Sequence, residues 1–353
     1  MEAIRFSKYD EYLELFECPI PQVTNADHVL VKVLFAGITQ RDVHVIDGNV
    51  PCRRDKAFIM GQEISGAVVG IGTQVLVVTP GDYVIVNPFS SCQICNHCRS
   101  GHPHLCQQCK VERMMGLHEN GGWAEYIIVP EIQIYKLCDN IPVELGILAP
   151  LLSVVAHALQ FIEPLGLDKR ILVLGAGVSG VLWIALFHYK GFRNVLVSEP
   201  NLARHEIIQQ MDVNYEIITP AVVGQRISTD SSFYFDLVVD CSSNAKALQR
   251  AVDLLDSGGK LLVFGSKPMN ARICISPFEL QRRESKIIGV DVGSYTYPSA
   301  LALLQCLSNR YLTYERLGIK VYPLRQYKEA IDHVRKRSVL KAVFRMPDDC
   351  KCL

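Results

Sequence analysis

Hydrophobic positions change their spacing along the chain. Through residue 90 they fall in short runs broken by turn residues. Val29-Leu30-Val31-Lys32-Val33-Leu34-Phe35 is one. Ile64 to Gly72 and Asp82 to Val86 are two more, parted by Pro80-Gly81. Short runs between turn signals predict strands, and their density predicts a small, all-β barrel over this stretch. Gly121 to Val129 predicts another strand, and Leu145 to Leu159 a helix leading into a second region. From residue 170 apolar runs alternate with helix-length segments. Ile171 to Leu174, Val195 to Val197, Phe235 to Ser242, Lys260 to Gly265 and Ile287 to Val292 read as buried strands. Val181 to Tyr189, Asn201 to Met211 and Ala245 to Leu255 read as the helices between, and Ser257-Gly258-Gly259 as a turn. That alternation predicts a parallel, doubly wound sheet. Pro298 to Leu307 and Gln326 to Lys336 read as helices, and Lys341 to Met346 as a closing strand.

The stretch Arg170 to Glu199 carries the clearest chemistry. A buried strand runs into Gly175-Ala176-Gly177-Val178-Ser179-Gly180, a helix follows, and a second strand closes on Glu199. Strand, G-x-G-x-x-G, helix, strand and acid form the dinucleotide fingerprint. Gly175 makes the tight turn, Gly177 admits a pyrophosphate to the backbone, and Gly180 lets helix and strand pack. The pyrophosphate would rest on the helix N-terminus, around Val178, where free N–H groups point outward. Glu199 would accept from both hydroxyls of an adenosine ribose and repel a 2′-phosphate, so NAD is favoured over NADP. Arg204 is assigned to the cofactor beside it. Ligands of such sheets lie at strand C-termini, which adds Cys241, Ser242, Gly265 and Ser266. For Cys241 a small buried residue is an equal reading.

Composition narrows the class. The 353 residues suit two domains rather than one core, and 49% hydrophobic with 20% charged is the balance of a soluble globular protein. Lys and Arg equal Asp and Glu at 36 each, which argues against nucleic acid or an anionic membrane as partner. No apolar run reads as a membrane span, and Met1 to Arg5 lacks the form of a signal peptide, so a cytoplasmic protein is expected. Thirteen cysteines fit a reducing compartment better than a disulfide framework. Cys350-Lys351-Cys352-Leu353 resembles a prenylation box only superficially, because Lys351 stands where an aliphatic residue belongs.

Four of those cysteines, Cys92, Cys95, Cys98 and Cys106, are spaced as a metal lobe over residues 92–106. Four thiolates close a tetrahedral Zn²⁺ shell and leave no open position, which makes the site structural. Free thiols or an iron–sulfur cluster are the alternatives. Cys109, His97, His102 and His104 read as surplus loop residues.

Gly37 to His44, Gly61 to Gly66, the cysteine lobe, Gly121 to Tyr126, Gly175 to Gly180 and Ser257-Gly258-Gly259 together resemble the medium-chain zinc-type alcohol dehydrogenases, in their sorbitol and polyol dehydrogenase-like branch. The resemblance implies an α/β protein: a GroES-like β-barrel catalytic domain over residues 1–152, a doubly wound Rossmann NAD-binding domain over 153–292, and a return to the catalytic domain over 293–353. It implies NAD and one structural zinc per subunit as cofactors, a small-molecule substrate, and a homodimer or homotetramer pairing near residues 270–292.

The chain departs from that family where the catalytic zinc belongs. The family's first ligand is a cysteine where this chain has Thr39, its second a histidine where this chain has Gln62, and its third falls on Pro150. Only the adjacent Glu63 keeps ligand chemistry, so an empty catalytic metal position is expected. A trio of Asp42, His44 and Glu63 is the alternative. Hydride transfer then needs another proton partner and another source of charge stabilisation. His44 and Glu63 are the candidate acid–base groups, Thr39 and Gln62 the hydrogen-bonding ones. Arg41 is a candidate clamp for a substrate carboxylate or phosphate, and Tyr295 a pocket residue. For His44 and Tyr295 plain packing is an equal reading. Three functions follow: an NAD(H)-dependent oxidoreductase without catalytic zinc, acting on a polyol- or cyclitol-like hydroxyl compound or on a carbonyl or enone; an inactive dinucleotide-binding regulatory or scaffold protein; and a zinc dehydrogenase with substituted ligands.

Overall fold

The computed structural model describes residues 1–7, 12–53, 55–108, 113–293 and 295–347. Cys109 and the C-terminal Cys350 to Leu353 lie outside them. The chain divides into two compact units, Met1–Ser153 with Ser294–Ser308 and Thr313–Leu353, and Val154–Gly293 with Asn309–Leu312.

The first unit begins with β1 (Glu2–Ser7), β2 (Tyr12–Glu17), β3 (His28–Ile38), β4 (Phe58–Ile59), β5 (Glu63–Ile71), β6 (Tyr83–Val86), β7 (Tyr126–Pro130) and β8 (Ile134–Lys136). The second holds β9 (Ile171–Leu174), β10 (Val195–Ser198), β11 (Glu216–Ile218), β12 (Phe235–Asp240), β13 (Leu255–Val263) and β14 (Lys286–Gly289). The chain then returns to the first unit through β15 (Lys320–Pro323) and β16 (Ala342–Arg345).

In the first unit β3 is the hub. It pairs antiparallel with β5, β7 and β16 in the sheet β15-β16-β3-β5-β6-β8, while β2-β1-β4 forms a smaller sheet. β16, from the far end of the chain, therefore lies beside the strand that leads into residues 39–44. This unit is not all β over residues 1–90. A seven-residue helix, α1 (Gln40–Ile46), follows β3 directly. It is too short to display a 3.6-residue period, but Thr39 and Asp42 form a complete capping box that starts it.

In the second unit six strands run parallel in the order β11-β10-β9-β12-β13-β14. β9 is the central strand, and all four of its side chains are buried. Being covered on both faces, it shows an unbroken apolar run rather than alternation.

Three expected boundaries shift. The helix foreseen from Leu145 opens as a 3-10 segment, Val143–Leu148, and becomes α-helical only at Ala149–Ile162, where Pro150 is tolerated in the first turn. Ser257-Gly258-Gly259 is not a turn between helix and strand. It lies inside β13, where the pairing with β12 slips and Gly258 takes φ +74°. The strand foreseen to Val292 stops at Gly289. Residues Val143–Ile162 also meet, by length and composition, the requirement for a membrane span. They are a core segment instead, with 67% of the apolar window buried in the protein.

Candidate functional site

In the second unit the glycine turn leaves β9 with Gly175 at φ +91°, a left-handed conformation that a side chain would strain. Gly180 has no room for more than hydrogen, since a Cβ there would stand 1.9 Å from the Gly175 carbonyl oxygen. Gly177 is different. It is the N-cap of the helix Val178–Tyr189, and a Cβ on it would meet only Arg204 Nη1, at 3.9 Å. The turn is closed toward the sheet and open above the helix N-terminus, as a pyrophosphate seat requires.

Glu199 holds this turn together. It is 2% exposed. Oε2 accepts the Ala176 N–H at 2.6 Å and Oε1 accepts the Asn201 N–H at 2.9 Å. Arg204 Nη1 stands 3.6 Å from Oε2. The carboxylate expected to serve a ribose alone is therefore also a strut of the turn, and Arg204 lies between it and the open face of Gly177. At the strand C-termini Gly265 packs on Ser242 so closely that a Cβ would stand 2.4 Å from the Ser242 carbonyl oxygen. Cys241 is half-buried and Ser266 exposed. Desolvation, reinforced by the Asp240 carboxylate, pushes the Cys241 thiol well up, so it stays protonated.

In the first unit the sulfurs of Cys92, Cys95, Cys98 and Cys106 all lie within 4.8 Å of one another. Backbone N–H groups of Cys95 and Ile94 point at the Cys92 sulfur and bring that thiol down to about 6, which favours the ligating thiolate. The donor set and its convergence fit one tetrahedral Zn²⁺. His97, His102 and His104 are not part of the group.

The residues around α1 form a separate cluster. Thr39 caps the helix, its hydroxyl donating to Asp42 Oδ2 at 2.6 Å and accepting from the Asp42 N–H. Asp42 is fully buried, and desolvation raises its carboxyl to about 6. Its Oδ1 has no hydrogen-bond partner among the described residues. Gln62 is buried and donates from Nε2 to the Met115 carbonyl at 3.0 Å. Glu63 is buried against Gly37 of β3, where a Cβ would collide with Oε2, and it pairs with the ammonium of Lys341, 4% exposed. Trp123 closes the floor, donating from Nε1 to the Gly37 carbonyl at 3.0 Å and lying over Gly61. Lys341 and Glu63 both act on the charge of Asp42, with opposite signs.

Lys341 is the residue that sequence reasoning missed. It directly precedes the closing strand β16, and nothing local marks it as buried. The pairing of β16 with β3 brings it to Glu63.

The remaining candidates stand apart. His44 is half-buried in the last turn of α1 and makes no side-chain hydrogen bond among the described residues. Arg41 is half-buried with Nη1 3.6 Å from Met114 Sδ. Pro150 is half-buried in the first turn of its helix, and its neighbours Ala149 and Leu151 carry no donor atom either. Tyr295 is 71% exposed at φ +51°, so plain packing does not explain it. Asp42, His44 and Glu63 do not converge as a second ligand group among the described residues.

Comparison with known proteins gives this geometry a family. Residues 25–139 match the alcohol dehydrogenase GroES-like domain, and residues 180–306 the zinc-binding dehydrogenase domain. A D-altritol 5-dehydrogenase of Agrobacterium fabrum is 30% identical over 310 residues, 86% of this chain and 88% of that one. The chain belongs to the medium-chain, zinc-type alcohol dehydrogenases. An L-threonine 3-dehydrogenase of Pyrococcus horikoshii is likewise 30% identical, over 98% of both chains. The fold of this dehydrogenase superposes with a TM-score of 0.87 on a zinc-binding dehydrogenase of Sinorhizobium meliloti solved with NADP, at 22% identity and 98% coverage of each chain. The GroES-like and Rossmann architecture expected from the sequence is thereby established. Where the resemblance places the family's catalytic metal ligands, the chain has a threonine whose hydroxyl donates to Asp42, a glutamine whose Nε2 donates to Met115, and a proline, and the carboxylate beside the glutamine is paired with a lysine. That donor set does not fit a zinc ion.

Proposed function

We propose that this dehydrogenase transfers hydride between NAD(H) and a small hydroxylated metabolite of polyol or cyclitol type, or a carbonyl or enone compound, without a catalytic zinc. The buried Glu63–Lys341 pair carries the reading. The Glu63 carboxylate already faces an ammonium, and a second cation there would meet repulsion in a poorly screened interior.

The cofactor assignment rests on the open face of Gly177 above the helix N-terminus and on Glu199. Bound there, a nicotinamide supplies the hydride donor or acceptor. The Glu199 charge disfavours a 2′-phosphate, and Arg204 is already committed to that carboxylate. Oxidation of an alcohol also releases a proton, and reduction of a carbonyl consumes one. His44 is assigned that proton, because Asp42 and Glu63 are engaged by Thr39 and Lys341 while the imidazole is not. Gln62 keeps its Oε1 to accept from a substrate hydroxyl. Arg41 and Tyr295 are assigned to the substrate, and the four-cysteine lobe to one structural zinc. The polyol class follows the D-altritol relative.

Self-association is assigned to the edge strand β14 and the segment before it, where Met269 and Phe278 are 72% and 69% exposed. Sedimentation of the wild type and of a Met269→Asp, Phe278→Asp variant checks it, and a wild type that stays monomeric refutes it.

The main test joins three measurements on the purified protein: zinc per subunit, NADH titration, and turnover on a panel of polyols, ketones and enones. One zinc, NADH binding and turnover are expected. Two zincs would refute the metal-free reading, and NADH binding with no turnover would leave a dinucleotide-binding protein without catalysis.

A further inference from the structure

A cavity of about 300 Å³ opens at the N-terminal edge of the parallel sheet, where β12 and β13 begin, on the edge opposite the glycine turn. Its volume stands at the lower end of the range of small-ligand sites. The floor is apolar: Phe233, Leu254 and Leu255 belong to the buried core of the second unit. Two aliphatic side chains of its lining, Ile227 and Ile275, are 43% and 38% exposed.

The charges around this cavity do not balance. Asp230, Asp253 and Glu279 line it against a single guanidinium, that of Arg283. Arg283 is already engaged. Its Nε donates to Glu279 Oε2 at 3.0 Å, its Nη1 donates to the Leu255 carbonyl at 3.0 Å, and its Cζ stands 5.4 Å from the centre of the Tyr234 ring. Asp230 Oδ1 accepts from the Ser232 N–H and hydroxyl, and those bonds, with Arg170 and Arg226 farther off, hold its carboxyl below the ordinary range and ionised. The Asp253 carboxylate has no ion pair or hydrogen bond among the described residues.

Both acids stand at helix C-termini. Asp230 caps the helix Pro220–Thr229, and Asp253 is the last residue of the helix Ala245–Asp253. A helix C-terminus carries partial negative charge and is ordinarily paired with a cation. The basic side chains of these last turns bond elsewhere: Arg226 Nη1 donates to Glu216 at 2.9 Å, and Arg250 Nη1 to the Pro220 carbonyl at 3.5 Å. An apolar floor under a negative mouth calls for an occupant with an apolar body and a positive charge. A dinucleotide pyrophosphate would be repelled, and a polyol has no apolar body to bury.

We propose that this cavity is a second small-molecule site, for a compound with a ring-sized apolar body and an ammonium head, the body resting on Phe233, Leu254 and Leu255 and the head lying between Asp230 and Asp253. Neither Met269 nor Phe278 lines it, so the site stands apart from the self-association assigned above.

The probe is 2-phenylethylammonium, with 2-phenylethanol as its neutral counterpart and 3-phenylpropionate as its anionic one. Each is titrated by saturation-transfer NMR into the full-length protein carrying its zinc, with NADH in excess. The cation should bind with a dissociation constant of about 1 mM, the alcohol about fivefold more weakly and the anion more weakly still. Asp253→Asn should weaken the cation by about threefold or more and leave the alcohol unchanged, which controls for a folding defect. Adding Asp230→Asn, which keeps the acceptor for Ser232, should bring the loss to about tenfold. Ile227→Ser should weaken cation and alcohol alike. Equal affinity for cation and alcohol, an unaltered cation affinity in the double asparagine variant, or no cation binding up to about 10 mM would overturn the proposal; the last is also the result expected if a second copy of the chain covers the cavity.

Discussion

Replacing Lys341 with methionine tests the charge arrangement at the centre of the functional reading. The substitution keeps the length and apolar stem of the side chain and removes the ammonium. Glu63, 6% exposed, then loses its partner ammonium, and Asp42 loses the favourable charge of Lys341. Removing one member of a buried pair costs about 3–5 kcal/mol, because the survivor's desolvation is no longer offset. At about 1.4 kcal/mol per factor of ten, that shifts the unfolding equilibrium by roughly 100- to several thousand-fold. Trp123 is the natural reporter. It is fully buried in the same unit and meets Phe344 of β16 edge-on at 5.3 Å. Trp183 lies in the other unit, so a Trp183→Phe background leaves Trp123 emission to follow urea unfolding of the first unit alone. Glu63→Gln combined with Lys341→Met should recover most of the loss, because an uncharged pair of similar shape carries no desolvation of charge. A single variant within about 1 kcal/mol of the parent would refute the account, since that is the range of an exposed pair.

Three further outcomes follow from named contacts. Asp42 has a folded pKa of about 6 against an ordinary 3.8, so its contribution is full below pH 3.8 and lost as pH rises toward 6 and beyond; Asp42→Asn should flatten the fall in stability between pH 4 and 7, and an unchanged slope in pH-dependent urea melts would count against it. Glu199→Gln keeps one acceptor for the turn and removes the charge, so the preference for NADH over NADPH should fall by about tenfold, on the scale of one charged contact; comparison of the two dissociation constants checks it, and an unaltered ratio removes Glu199 as the selector. Cys95→Ser should abolish bound zinc and lower solubility rather than only activity, read by metal analysis of the purified protein; full zinc content in the variant would show that the lobe is not the site.

The dinucleotide turn and the cysteine lobe were legible in the sequence because each is written in consecutive residues. Gly175, Gly177 and Gly180 do their work within six positions, and Cys92 to Cys106 converge through one loop. Local sterics and ligand spacing determine such sites before any distant segment arrives. Long-range pairing decided the rest. Glu63 and Lys341 are 278 residues apart and meet because β16 pairs with β3. That the Thr39 hydroxyl donates to Asp42 and the Gln62 Nε2 to Met115 was not readable in the sequence, because both contacts depend on the folded cluster. The sequence alone determined the local motifs, the glycine turn and the cysteine spacing. Only the tertiary structure decided which charges answer one another, because burial and strand order are properties of the whole fold, and a buried charge is stable only beside the partner that the fold brings to it.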